Sequence, residues 1–104
     1  MKIVRVDPGK SAVLTEIDGS LKSMQAVVRG LIEVIPMFDG DVVLVCNEEG
    51  KLQSLPPNRP VYLPDDDKPY DIIYGTFFLC SVNEDGDMLE LPEDKLAFYL
   101  EKYQ

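Results

Sequence analysis

The chain has 104 residues, with 19 acidic side chains against 10 basic ones and no histidine, for a formal charge of −9 at pH 7. This length suits one domain able to bury roughly two thirds of its unfolded surface, and so to fold without metal or disulfide staples. The acidic balance repels phosphate backbones and anionic headgroups, which argues against direct nucleic-acid or membrane binding. The missing histidine removes the commonest general base, the usual partner of a Ser or Cys nucleophile and the nitrogen ligand of most zinc sites.

Residues 2–6 and 12–17 read as short strands joined by Asp7-Pro8-Gly9-Lys10. Pro at the second position and Gly at the third specify a type II turn, hence an N-terminal hairpin. Asp18-Gly19-Ser20 breaks the second strand, and Ser20 is placed to cap a helix carrying Leu21, Met24, Val27, Val28 and Leu31 at helical spacing. Gly30 is the expected left-handed stop. Runs 32–38 and 42–46 flank Asp39-Gly40, a hairpin signal, and Pro36 marks the first arm as a sheet edge. The five apolar residues 42–46 predict a strand covered on both faces, in the middle of the sheet.

Segment 55–71 holds Pro56, Pro57, Pro60, Pro64 and Pro69 with the run Asp65-Asp66-Asp67, and reads as a long surface excursion. Residues 72–82 return as a second buried strand, with Gly75 marking a bulge or a close backbone approach. After the acidic turn 83–87 and a short strand at 88–91, Pro92 opens a final helix. Leu96, Tyr99, Leu100 and Tyr103 share one of its faces, and Glu93 and Asp94 sit in its first turn. The predicted fold is α+β: one domain over residues 1–104, with a mixed, mostly antiparallel sheet of about five to six strands and two helices packed on it.

Cys46 and Cys80 each sit inside an apolar run and no CxxC exists, so both read as buried small hydrophobes in a reducing compartment. The early Asp7-Pro8 is unlike a signal peptide, and no apolar run approaches the about 20 residues of a membrane helix. A cytoplasmic protein is the expectation.

No GxSxG, GxxxxGK[ST] or GxGxxG is present. Acidic groups at Glu48-Glu49, at 65–67, at Glu84, Asp85 and Asp87 and at Glu93-Asp94 can serve catalysis or a metal only by converging in space. The turn 83–87 fails the calcium-loop pattern, because Ser81 and Pro92 stand at its first and twelfth positions. The better cluster lies where the strand 42–46 ends. Asn47, Glu48, Lys51, Asn58 and Arg59, with Tyr74 and Gly75, are the candidate ligand-binding residues. Lys51 and Arg59 supply a basic fork, and Tyr62, Tyr70 and Tyr74 supply rings for stacking, a combination that suits a nucleotide. The competing structural reading is a tight turn at Asn47 and Gly50, an internally paired Arg59 and core tyrosines.

The blocks Cys46-Asn47-Glu48-Glu49-Gly50-Lys51-Leu52 and Leu55-Pro56-Pro57-Asn58-Arg59, together with Ile17-Asp18-Gly19-Ser20-Leu21, Met24-Gln25, Ile32-Glu33-Val34 and Asp71-Ile72-Ile73-Tyr74-Gly75-Thr76-Phe77-Phe78, resemble the family catalogued as domain of unknown function 3846. The resemblance covers nearly the whole chain. It implies a setting of bacteria, phages and mobile elements and carries no activity or catalytic residue with it. In the final helix no Ser, Thr or Asp precedes Pro92, so a side-chain cap is not expected there.

Three functions follow as expectations. The first is a non-catalytic module without a cofactor or metal, which holds a small nucleotide-like host signal and sequesters it in an anti-defence role. The second is an acidic module that blocks a basic nucleic-acid-binding surface of a host protein, for which the charge must gather in one stripe. The third is a carboxylate- or metal-dependent hydrolase. An open edge at 32–38 offers a route to a homo-oligomer through a shared sheet.

Overall fold

The computed structural model describes residues 1–62 and 69–104, the side chain of Tyr70 excepted. The expected roles of the 65–67 acidic run and of the Tyr70 ring therefore lie outside the described residues.

Strands β1 (Lys2–Val6) and β2 (Val13–Glu16) form the N-terminal hairpin. Its turn is closed by the Lys10 N–H donating to the Asp7 carbonyl at 3.2 Å, with Gly9 at φ +72°, as the Pro-Gly pair predicts. Helix α1 (Leu21–Val28) starts on Ser20, whose hydroxyl oxygen accepts from the Ser23 N–H at 3.0 Å. Hydrogen bonding from Ser20 in turn holds the Asp18 carboxyl down at about 2. The helix closes on Arg29, at φ 64°, instead of on Gly30. Gly30 is small for another reason: a Cβ there would lie 2.7 Å from the Asn47 amide nitrogen. Leu31 thus falls outside the helix and is exposed.

Strands β3 (Ile32–Pro36) and β4 (Val42–Asn47) make the second hairpin. Its left-handed residues are Phe38 and Gly40, at φ 56° and 58°, where the sequence pointed to Asp39 and Gly40. Asp39 instead directs its carboxylate to the Lys95 amine at 2.6 Å and the Tyr99 hydroxyl at 2.8 Å. Pro36 sits on an edge strand as expected, since among the described residues β3 pairs only with β4.

The proline-rich excursion is more ordered than predicted. Strands β5 (Pro57–Tyr62) and β6 (Pro69–Tyr74) pair antiparallel as a separate two-stranded ribbon. A strand in such a ribbon is hydrogen-bonded along one edge only, so Pro57, Pro60 and Pro69 can turn their missing donors away from the partner, and the register shifts beside Pro60 and Val61 absorb the misfit. The run 72–82 is likewise not one strand. It breaks at Gly75, φ +89°, where the chain leaves the ribbon and enters β7 (Phe77–Val82) of the main sheet. A short β8 (Met88–Leu89) and helix α2 (Glu93–Lys102) complete the chain. Pro92 is the N-cap of α2 and makes no side-chain cap bond.

The main sheet runs β2-β1-β7-β4-β3, with β8 added to β7, and every pairing among the described residues is antiparallel. Both buried runs are therefore interior and adjacent as expected, but the third of the five strands is β7, with the 42–46 run one place from it, between β7 and the edge strand β3. Alternation along the buried strands splits the core in two. Ile3, Val43, Val45, Phe78 and Cys80 face α1, through Met24, Val27 and Val28. Val4, Val6, Leu44, Phe77 and Leu79 face α2 and the ribbon, through Leu96, Tyr99, Tyr103, Val61 and Ile73. That double cover explains why all six residues of β4 are buried. The sheet with α1 on one face and α2 with the ribbon on the other is the α+β architecture expected from the pattern.

Candidate functional site

Because β4 ends beneath the C-terminus of α1, its last residue can satisfy backbone groups that the helix leaves open. Asn47 is 5% exposed, and its amide nitrogen donates to the carbonyls of Val28 at 3.0 Å and Arg29 at 3.2 Å and to the Gln53 side-chain oxygen at 3.2 Å. Its own oxygen accepts from the Glu49 N–H at 2.7 Å. The chain then folds on itself, with the Gln53 N–H donating to the Glu49 carbonyl at 2.9 Å and the Leu55 N–H to the Gly50 carbonyl at 3.0 Å. Gly50 is pressed against β6: a Cβ there would sit 2.5 Å from the Tyr74 carbonyl oxygen.

Between this folded turn, the end of β3 and β6 lies an open cleft of about 340 Å³. Among the described residues, Glu33, Glu48, Glu49 and Asp71 line it, with Lys51 as the single cation. The Lys51 amine lies 3.0 Å from the Asp71 carboxylate and 5.6 Å from the centre of the Tyr74 ring. The hydrogen bond from Lys51 holds the Asp71 carboxyl below the usual range, and the same contact raises the lysine. Leu52, 84% exposed, and Ile72 give the rim an apolar side.

The family model described as Domain of unknown function (DUF3846) matches residues 1–104 of this chain. The chain belongs to that family. No curated protein and no solved structure matches it.

In this DUF3846 protein the residues expected to form one site are divided. Asn47, Glu48, Lys51 and Tyr74 line the cleft, although the Asn47 amide is occupied internally. Asn58 and Gly75 meet elsewhere: the Asn58 amide donates to the carbonyls of Val6 and Gly75, both at 2.9 Å. Arg59 is not a free fork. Its guanidinium donates to Asp7 O at 3.3 Å, Asn58 Oδ1 at 3.2 Å, Lys10 O at 2.6 Å and Tyr103 O at 3.1 Å, so it ties the first turn, the ribbon and the C-terminal helix together. The expected basic fork of Lys51 and Arg59 is therefore not assembled. Tyr62 lines a different concavity, beside Arg59 and Tyr103.

Glu33 and Asp71 were not among the sequence candidates for this site. Glu33 arrives because it pairs with Cys46 across β3 and β4, and Asp71 because the folded turn packs on β6 and brings Lys51 to it. No local pattern signals either; only strand register and that packing do. The Cys46 thiol, 3.8 Å from the Glu33 carboxylate, is pushed up to about 12 by burial and by that charge. A thiol so held carries almost no thiolate at neutral pH and is a poor nucleophile. Among the described residues no group of three or more His, Cys, Asp or Glu is arranged to hold a metal ion, and no helix is long and apolar enough to cross a membrane.

Proposed function

We propose that this protein is a non-catalytic binding module that takes a small organic ligand in the cleft between the 47–55 turn and β6. The observation that carries this reading is the composition of the cleft. Among the described residues four carboxylates and one lysine, already paired with Asp71, line it, so Glu33, Glu48 and Glu49 present negative charge beside an aromatic ring and an apolar rim. A ligand with amine or guanidinium donors and a flat or apolar body complements all three features. A nucleotide phosphate, the ligand class suggested by the sequence, would meet repulsion here, because Arg59 is bonded elsewhere. The setting implied by the family resemblance gives capture without turnover a use, the removal of a small host signal from solution.

Calorimetry against a panel of amines, guanidines and nucleotides tests the proposal. Binding of a cationic member is expected, weakened about tenfold or more by the joint Glu48→Gln and Glu49→Gln substitution, since two charge-assisted contacts are lost. Failure of every member to bind, or affinity undiminished in the double variant, removes the proposal. Blocking of a basic host surface is not favoured by the charge layout. Glu48 and Glu49 lie where β4 ends, whereas Asp41 lies where it begins, beside the end of β7 that leads into Glu84, Asp85 and Asp87, so among the described residues the charge is not gathered in one stripe.

A further inference from the structure

A second concavity, of about 360 Å³, has the opposite polarity. It lies where β1, the first turn, the end of α1 and the Gly75 break come together, and among the described residues it is lined by three cationic residues, Arg5, Lys10 and Arg29, and one carboxylate, Asp7. Three of the chain's ten basic residues thus share one hollow of a molecule in which acids number 19. Asp7 is engaged at its edge, accepting from Arg5 Nε at 3.2 Å and from the Thr76 hydroxyl at 2.7 Å. Among the described residues the Lys10 amine and the Arg29 guanidinium have no hydrogen bond or ion pair, and Arg5 keeps its two terminal nitrogens unbonded. Like charges brought together without partners repel, and the arrangement is stabilised when an anion sits between them.

The backbone sharpens the point. Arg29 closes α1 in the left-handed conformation, where glycine is the favoured residue, and a side chain there costs about 1 kcal/mol. Gly30, next in the chain, does not take that role. Leu55 and Pro56 add an apolar wall, with Leu55 packed onto Gly75 so closely that a Cβ on the glycine would lie 2.7 Å from it.

We propose that this hollow is a binding site for a phosphate group carried on a small organic body, with Arg5, Lys10 and Arg29 as its cationic contacts and Leu55 and Pro56 against the body. Three cations less one carboxylate leave an excess of two positive charges, the complement of a phosphate dianion, whereas a single carboxylate would neutralise only half of it. Among the described residues the hollow shares no lining residue with the acidic cleft.

The test is a nitrogen-15 NMR titration of the whole chain at low salt with two probes, inorganic phosphate and adenosine monophosphate. Saturable shifts are expected at the amides of Lys10, Arg29, Gly75 and Thr76 with both probes. Tighter binding of the nucleotide is expected, because the apolar wall adds to the phosphate contacts; equal binding of the two probes would overturn the role given to Leu55 and Pro56. The joint Lys10→Gln and Arg29→Gly variant should bind about tenfold or more weakly, with the glycine keeping the left-handed cap intact, and Arg29→Lys should stay within about threefold of the parent. The proposal is overturned by shifts that do not saturate, by the same shifts with an equal ionic strength of sodium chloride, or by unchanged affinity in the double variant.

Discussion

Replacing Asn47 with Ala separates a structural residue from a ligand group, because the two roles leave different traces. The Asn47 amide has two hydrogens shared among the Val28, Arg29 and Gln53 oxygens, and its oxygen accepts from Glu49. Truncation therefore removes about three net hydrogen bonds at about 1 kcal/mol each, and strands the buried Val28 carbonyl at the end of α1. A loss of about 3 kcal/mol lowers the melting temperature of a domain this size by roughly 10–20 °C, read by circular dichroism. Asn47→Asp is the informative companion. It keeps the acceptor for the Glu49 N–H but aims a carboxylate at two carbonyl oxygens, so at pH 7 it should destabilise at least as much as Ala. Burial raises the folded pKa of the new carboxyl above its unfolded value of about 3.9, so that penalty is relieved as pH falls through the raised value. A melting temperature within about 3 °C of the parent for Asn47→Ala, with Asn47→Asp the more stable of the two, would refute the account.

Other outcomes follow from the same geometry. Arg59→Lys keeps the charge but loses the four-way fork, and should cost about 2–3 kcal/mol in urea unfolding. Gly50→Ala places a methyl 2.5 Å from the Tyr74 carbonyl oxygen. It should destabilise by about 1–3 kcal/mol and displace β6 from the cleft, visible as shifts in the amides of 71–74. Asp39, its carboxyl lowered by hydrogen bonds from Lys95 and Tyr99, contributes stability above its unfolded pKa that is lost as pH falls through the folded one. Asp39→Asn should therefore flatten the decline of thermal stability below about pH 4, while lowering the neutral plateau by no more than about 1 kcal/mol, since the pair with Lys95 is partly exposed. Cys46 and Cys80, both buried with thiols pushed up to about 12, should resist alkylation at pH 8 until the chain is unfolded, and rapid labelling of the native protein would contradict their placement.

Much of the fold was readable from short windows. Pro8-Gly9 set the first turn, Ser20 set the start of α1, and the spacing of Leu96, Tyr99 and Tyr103 set the buried face of α2. Each of these depends on dihedral preferences or on a repeat within a few residues. The errors share a different cause. Gly30 was expected to end α1 because glycine is the cheapest left-handed residue, but the space beside Asn47 claims it and Arg29 turns instead. The prolines of 55–71 argued for a loop, yet pairing between β5 and β6 asks for donors on one edge only.

The amino-acid order alone determined the two N-terminal hairpins, the two helices and their apolar faces, and that the 42–46 run is covered on two sides, because those properties are set by neighbours a few positions apart. Only the tertiary structure decided that Arg59 is an internal tie, that Glu33 and Asp71 turn the candidate cleft acidic, and that Arg5, Lys10 and Arg29 meet in a basic hollow. These depend on strand register and on where the ribbon packs against the main sheet. A side chain's charge is written in the sequence, but the charges that surround it are supplied by residues distant in the chain, and folding selects among them.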